Sequence, residues 1–341
     1  MLKSLTRLVA IASCSVLSCI EAHCADLQFG PRTKLVFAPA PQARQLLSTH
    51  DDFVARLSPF DRSARLKSDR PVDEATYLTF AGDQALDWPA DEQANLTTAF
   101  EKVKERLIAL ELNLPAQIWL IKSTGLEEGG AAYTRGAAII FPRKLLQSGG
   151  PPLESLLCHE LFHVLSRHDK SLREKLYKTI GFERCGELQW PEELNQRRLT
   201  NPDGPTNDHC IKISVDGAQR WAIPILYSRR ATYDPAQGGE FFDYLVFQFI
   251  VISAPVSDDN LGNAALHAGV STPSLVDGRV VLVNPKEAVG FMDQVGRNTN
   301  YIIHPDEILA DNFVIIATAK SNVPSPDVLA RIRGVFDKSA P

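Results

Sequence analysis

Residues 153–168 read LESLLCHELFHVLSRH, and the fold of the surrounding chain depends on how this stretch is read. Its spacing predicts a helix. Inside it, His159-Glu160-Leu161-Phe162-His163 spells an H-E-x-x-H pattern. Histidines four residues apart leave one face of a helix about one turn apart, close enough to grip one metal ion. Glu160 lies about 100° round from His159, beside such an ion rather than on it. There it can take a proton from a water that the ion holds. Leu153, Leu156, Leu157, Leu161, Phe162, Val164 and Leu165 cover most of the remaining surface, and a helix apolar nearly all round is a buried one. Two imidazoles and a carboxylate inside a domain need partners, because unpaired buried polar groups are costly. A zinc ion would satisfy all three. The plainer alternative is a helix with one solvated stripe that happens to spell the motif.

Two histidines leave zinc underligated, since a catalytic site takes three protein ligands and keeps one position open. Residues 301–313, YIIHPDEILADNF, offer the third. His304-Pro305 reads as a helix start with proline at the first position. Glu307 and Asp311 are then four apart on one face. Glu307 can bind the ion, and Asp311 can accept a hydrogen bond from the far ring nitrogen of a ligating histidine, which orients the ring. A solvated acidic helix face is the competing reading of that pair.

His159-Glu160-x-x-His163 followed by Glu307-x-x-x-Asp311 resembles the gluzincin metallopeptidases, the thermolysin-like group. The resemblance implies that His159, His163 and Glu307 bind one Zn2+, that Glu160 is the general base, and that Asp311 supports a histidine from the second shell of contacts. It covers two short motifs and the architecture between them. The separation between His163 and Glu307 is longer than in thermolysin itself. The fold it implies is α+β and zincin-like: a mixed sheet whose edge strand packs on the active-site helix, with a mainly helical lower part and a β-rich insertion. That family often uses a tyrosine or histidine to hold the developing oxyanion, and Tyr227, Tyr233, Tyr301 and His304 are the candidates here.

The chain has 341 residues and a formal net charge of -5. It is long enough for one or two domains. Its ordinary globular composition excludes disordered and collagen-like classes, and no basic block marks nucleic-acid binding. Lys3 and Arg7 precede a mostly apolar run over residues 8–20, so residues 1–25 read as an export signal. The product is expected to be periplasmic or secreted. The run is too short for a good transmembrane span. Residues 11–14, IASC, also resemble a bacterial lipoprotein box, which would make Cys14 a lipid anchor in an alternative reading. Export places Cys158, Cys185 and Cys210 in an oxidising compartment, where a Cys185–Cys210 disulfide is the natural pairing. Cys158 points away from the histidine face and reads as a small core residue.

Along the chain, residues 75–80 read as a short strand and residues 90–112 as an amphipathic helix capped by Asp91. Residues 117–121 (QIWLI) and 136–141 read as strands. The latter, just before the metal helix, offers an open edge on which an extended peptide could pair. Residues 209–215 and 219–227 form a hairpin across Asp216-Gly217. The expected divisions are a signal at 1–25, a zincin-like subdomain at 26–170, a partly β-rich insertion at 171–300 and a helical part at 301–341. The reading that joins these features is a zinc peptidase in which Glu160 activates a zinc-bound water against a peptide or protein substrate. Its rivals are a catalytically silent binding protein on the same scaffold and a purely structural zinc site, closed by Cys158 or His304.

Overall fold

The computed structural model describes residues 26–147, 150–253 and 269–337. The expected export segment at 1–25, with Cys14, lies outside them. The protein is a mixed α+β chain, with ten α-helices among the described residues.

The first sheet comprises β1 (Leu27–Phe29), β2 (Thr33–Phe37), β3 (Ala85–Leu86), β4 (Gln117–Ser123), β5 (Tyr133–Arg135) and β6 (Ala138–Pro142). Its order is β1-β2-β4-β6-β5, with β3 beside the far end of β4. β2, β4 and β6 run parallel, whereas β1 and β5 are antiparallel to their neighbours. The parallel centre explains the apolar runs of β4 and β6, which are covered on both faces. The edge strand is therefore β5, not residues 136–141: Gly136, with φ +55°, turns the chain so that β6 lies inside it.

Further strands are β7 (Phe182–Arg184), β8 (Glu187–Leu188), β9 (His209–Val215), β10 (Ala218–Ser228), β11 (Leu245–Ile252), β12 (Val270–Ser271), β13 (Leu275–Val276), β14 (Arg279–Val280) and β15 (Leu282–Val283). Five of them form a second sheet in the order β15-β11-β10-β9-β7. The β9–β10 hairpin turns at Asp216 and Gly217, with φ +49° and +79°. Two successive left-handed residues are what a two-residue hairpin turn demands, and Asp-Gly supplies them cheaply.

The helix Leu153–His168 starts after Pro152 and ends at Asp169, whose side chain caps the next helix, Lys170–Thr179, by accepting from Leu172 N at 2.9 Å. It rests on β5 and β6 and is enclosed by the helices Ala90–Ala109, Lys170–Thr179 and Pro305–Ala317. The helix Pro305–Ala317 is itself buried over most of its length. One hydrophobic cluster runs from Leu35 and Phe100 through Leu161 and Phe162 to Ile211, Phe249, Phe313 and Ile332. Both sheets and the C-terminal helices thus share it. No helix among the described residues is long and apolar enough to cross a membrane.

Three local readings are corrected. Residues 75–80 belong to a helix, Glu74–Asp83, because Asp73 caps it by accepting from Thr76 N at 2.8 Å. The helix Ala90–Ala109 is preceded by Pro89 at the cap position, and Asp91 lies in its first turn. The expected Cys185–Cys210 bridge is not formed: both are free thiols. Cys185 packs against the hydrophobic cluster that contains Cys210, and its Sγ donates to Gly186 O at 3.6 Å.

Candidate metal centre

Two helices far apart in sequence meet at the site. Leu153–His168 presents His159, Glu160 and His163, and Pro305–Ala317 presents Asp306, Glu307 and Asp311. The second helix begins where the sequence predicts. Pro305 is its first residue, and His304 caps it, with Nδ1 accepting from Asp306 N at 3.2 Å. His304 is thereby occupied in holding a helix end. Phe162 and Phe313 pack between the helices with ring centroids 5.5 Å apart.

Glu307 Oε2 lies 3.1 Å from His159 Nε2 and 3.4 Å from His163 Nε2. Atoms that share a tetrahedral zinc at about 2.0–2.1 Å stand roughly 3.3 Å apart. His159, His163 and Glu307 therefore converge as the ligands of a single ion would. The opposite ring nitrogens are both engaged. His159 Nδ1 pairs with Asp311 Oδ1 at 3.0 Å, and His163 Nδ1 with Asp306 Oδ2 at 2.7 Å. Carboxylates on both Nδ1 atoms fix the rings so that both Nε2 atoms face the same point. The pairing is crossed, the earlier histidine taking the later aspartate, because the two helices run antiparallel.

His163 Nε2 and Glu160 Oε2 are buried and have no hydrogen-bond partner among the described residues. Buried polar groups are rarely left so, and these two border the point where the three ligands meet. A donor set of two imidazoles and a carboxylate can hold a divalent metal ion, zinc among them. The residues present thus fit the ion that the motifs imply.

The electrostatics follow from burial and charge. Burial pushes the Glu160 carboxyl up to about 8, and the nearby Asp203 carboxylate adds to the rise. Burial disfavours charge on His159, but its hydrogen bonds to the Asp311 and Glu307 carboxylates outweigh this and bring its pKa to about 10. Glu307 is held well below the usual carboxylate range: burial opposes this, and the charge of His163 with the hydrogen bond to His159 prevails. Both imidazoles are drawn toward their protonated forms by these carboxylates, and a divalent cation would compete with those protons, since ligands bind deprotonated.

Several groups at the site carry no signal in the sequence. Asp306 is fully enclosed and also accepts from Ser166 Oγ and, at 2.8 Å, from Tyr177 OH. Asn201 Nδ2 donates to Glu307 Oε1 at 2.6 Å, and Thr299 Oγ1 donates to Asp311 Oδ2. Asp203 lies with Glu160 and His163 in a second group whose ligand atoms are within 4.8 Å of one another. The Tyr301 ring stacks on His159 at 6.4 Å and 26°. Tyr227 and Tyr233 belong to other clusters, bonded to Gln248 and to Gly239 O. Cys158 is enclosed in the hydrophobic core, where burial pushes its thiol up to about 12.

Neither a protein-family model, nor a curated protein, nor a solved structure matches the chain.

Proposed function

We propose that the protein is an exported, zinc-dependent peptidase with a zincin-like arrangement, similar to the gluzincins. The observation that carries this reading is the crossed pairing. Asp311 and Asp306 hold the two Nδ1 atoms, both Nε2 atoms face Glu307 Oε2, and Glu160 Oε2 is unpartnered beside them. His159, His163 and Glu307 would hold the ion. When bound, zinc supplies Lewis acidity, which polarises a carbonyl and acidifies water.

The chain's own groups do the rest. Glu160 receives the proton of the attacking water and passes it to the leaving amine. Asp306 and Asp311 keep the imidazoles in one tautomer and one orientation. Tyr301, stacked on His159, is the side chain of the four oxyanion candidates that borders the ligands. A structural zinc needs no unpartnered Glu160, and neither Cys158 nor His304 faces the ligands to close a fourth position.

The test compares purified wild type with Glu160→Gln and Glu307→Ala, reading bound zinc and hydrolysis of a mixed peptide library. Wild type should carry one zinc and cleave. Glu160→Gln should keep the zinc and lose at least 100-fold in rate. Glu307→Ala should lose the metal. Full hydrolysis by Glu160→Gln would sink the mechanism.

A further inference from the structure

A segment of the chain itself occupies the place where a peptide would dock. The edge strand β5 pairs with β6 through Tyr133↔Ile140, Thr134↔Ile139 and Arg135↔Ala138, and the Thr134 N–H points away from β6, toward the Asp203 side chain. Outward main-chain groups of an edge strand are what an extended peptide would bond to. Thr134 N is already taken. It donates to Asp203 Oδ1 at 2.7 Å, and Thr134 Oγ1 donates to the same oxygen at 2.7 Å. The carboxylate thus stands where a substrate carbonyl would accept.

Residues 200–206 form a strap fixed on several sides. Arg167, one turn beyond His163, donates through Nη2 to Pro202 O at 3.1 Å and Asp203 O at 3.3 Å. Its Nη1 donates to Thr134 Oγ1 and Gly136 O, both at 3.0 Å. One guanidinium therefore joins metal helix, edge strand and strap. Asn201 carries the strap across to Glu307 Oε1. Further out, Thr200 N donates to Asp61 Oδ2 at 2.9 Å, and Arg65 Nη2 donates to Thr200 O at 3.1 Å. Asp61 and Arg65 are buried and also paired with each other. Between these anchors the Asp203 carboxylate lies beside Glu160 and His163.

We propose that residues 200–206 are a self-inhibitory strap, with Asp203 occupying the peptide-binding edge and the approach to Glu160, so that the intact chain is held at a low basal activity until the strap is displaced. The inference rests on the peptidase reading above. Asp203 acts as a competitor of substrate here, and Arg167 positions it.

The experiment uses the full zinc-loaded chain and a leucyl-phenylalanine hydroxamate, a peptide-shaped metal ligand, with affinity measured by titration calorimetry. Asp203→Ala and Arg167→Lys should each bind the hydroxamate at least 10-fold more tightly than wild type. Hydrogen exchange at the Thr134 amide should be faster in Asp203→Ala. If Asp203→Ala does not fold, Arg167→Lys carries the test, since it loosens the strap that positions Asp203 while keeping the Asp203 side chain itself. Equal affinity in wild type and the folded variants, each at one zinc per chain, would overturn the strap alone. A wild-type chain that takes up no zinc would instead remove the peptidase reading, and the strap with it.

Discussion

Each imidazole at the centre is held by its own carboxylate, and the two carboxylates differ in setting. Asp306 is 2% exposed and accepts from Ser166 and Tyr177 as well as pairing with His163, whereas Asp311 has a more open side chain and accepts from Thr299. Removing such a partner typically costs 10–100-fold in metal affinity. Asp306→Asn is expected near the top of that range and Asp311→Asn near the bottom, measured by competition with a chromogenic zinc chelator. Unchanged affinity in both would mean that the aspartates do not support the ligands. At this scale the sequence is uneven. His159, Glu160, His163, Glu307 and Asp311 were legible because helical spacing places each set on one face before any tertiary contact is known. Asp306 was not, because its use depends on the antiparallel crossing of two helices. Asn201 and Asp203 come from an irregular loop with no periodicity to read.

The helix Pro305–Ala317 is both core and site, so its apolar face is expected to matter as much as its acids. Phe313 is fully buried against Phe162. Phe313→Ala should cost about 3–5 kcal/mol in urea unfolding, and it should weaken zinc binding as well, because the ligand helix is seated by that ring. A loss of stability with zinc affinity untouched would separate the two roles. The long helices and the Asp216-Gly217 hairpin were readable because periodicity and turn chemistry are local. The helix Glu74–Asp83 was misread as a strand because its cap, Asp73, lies outside the apolar run. The true edge strand was missed because three residues, Tyr133–Arg135, are too few to show an alternation.

Across the whole molecule, one core joins segments that the sequence suggested as separate units. Where the second sheet meets the helix Lys170–Thr179, His209 is buried between Asp208 at 2.7 Å and Glu174 at 3.1 Å. Burial disfavours its charge, but the hydrogen bonds to Asp208 and Glu174 outweigh this and raise its pKa from 6.5 to about 9. Because folding raises this pKa, the stabilisation is complete below about 6.5 and disappears as pH climbs through about 9. Wild type should therefore lose on the order of 3 kcal/mol over that window. His209→Asn should flatten the slope, which urea unfolding at pH 6 and pH 9.5 would check. Equal slopes would place the titration elsewhere.

The crossing of the two helices also sets an order of events during synthesis. A ribosome that has passed residue 163 has made both imidazoles, but the carboxylate that completes the grip is still untranslated until residue 307. A nascent or prematurely terminated chain would lack the third ligand of the proposed centre. The three side chains can converge only once nearly all of the core that shelters them has also been made.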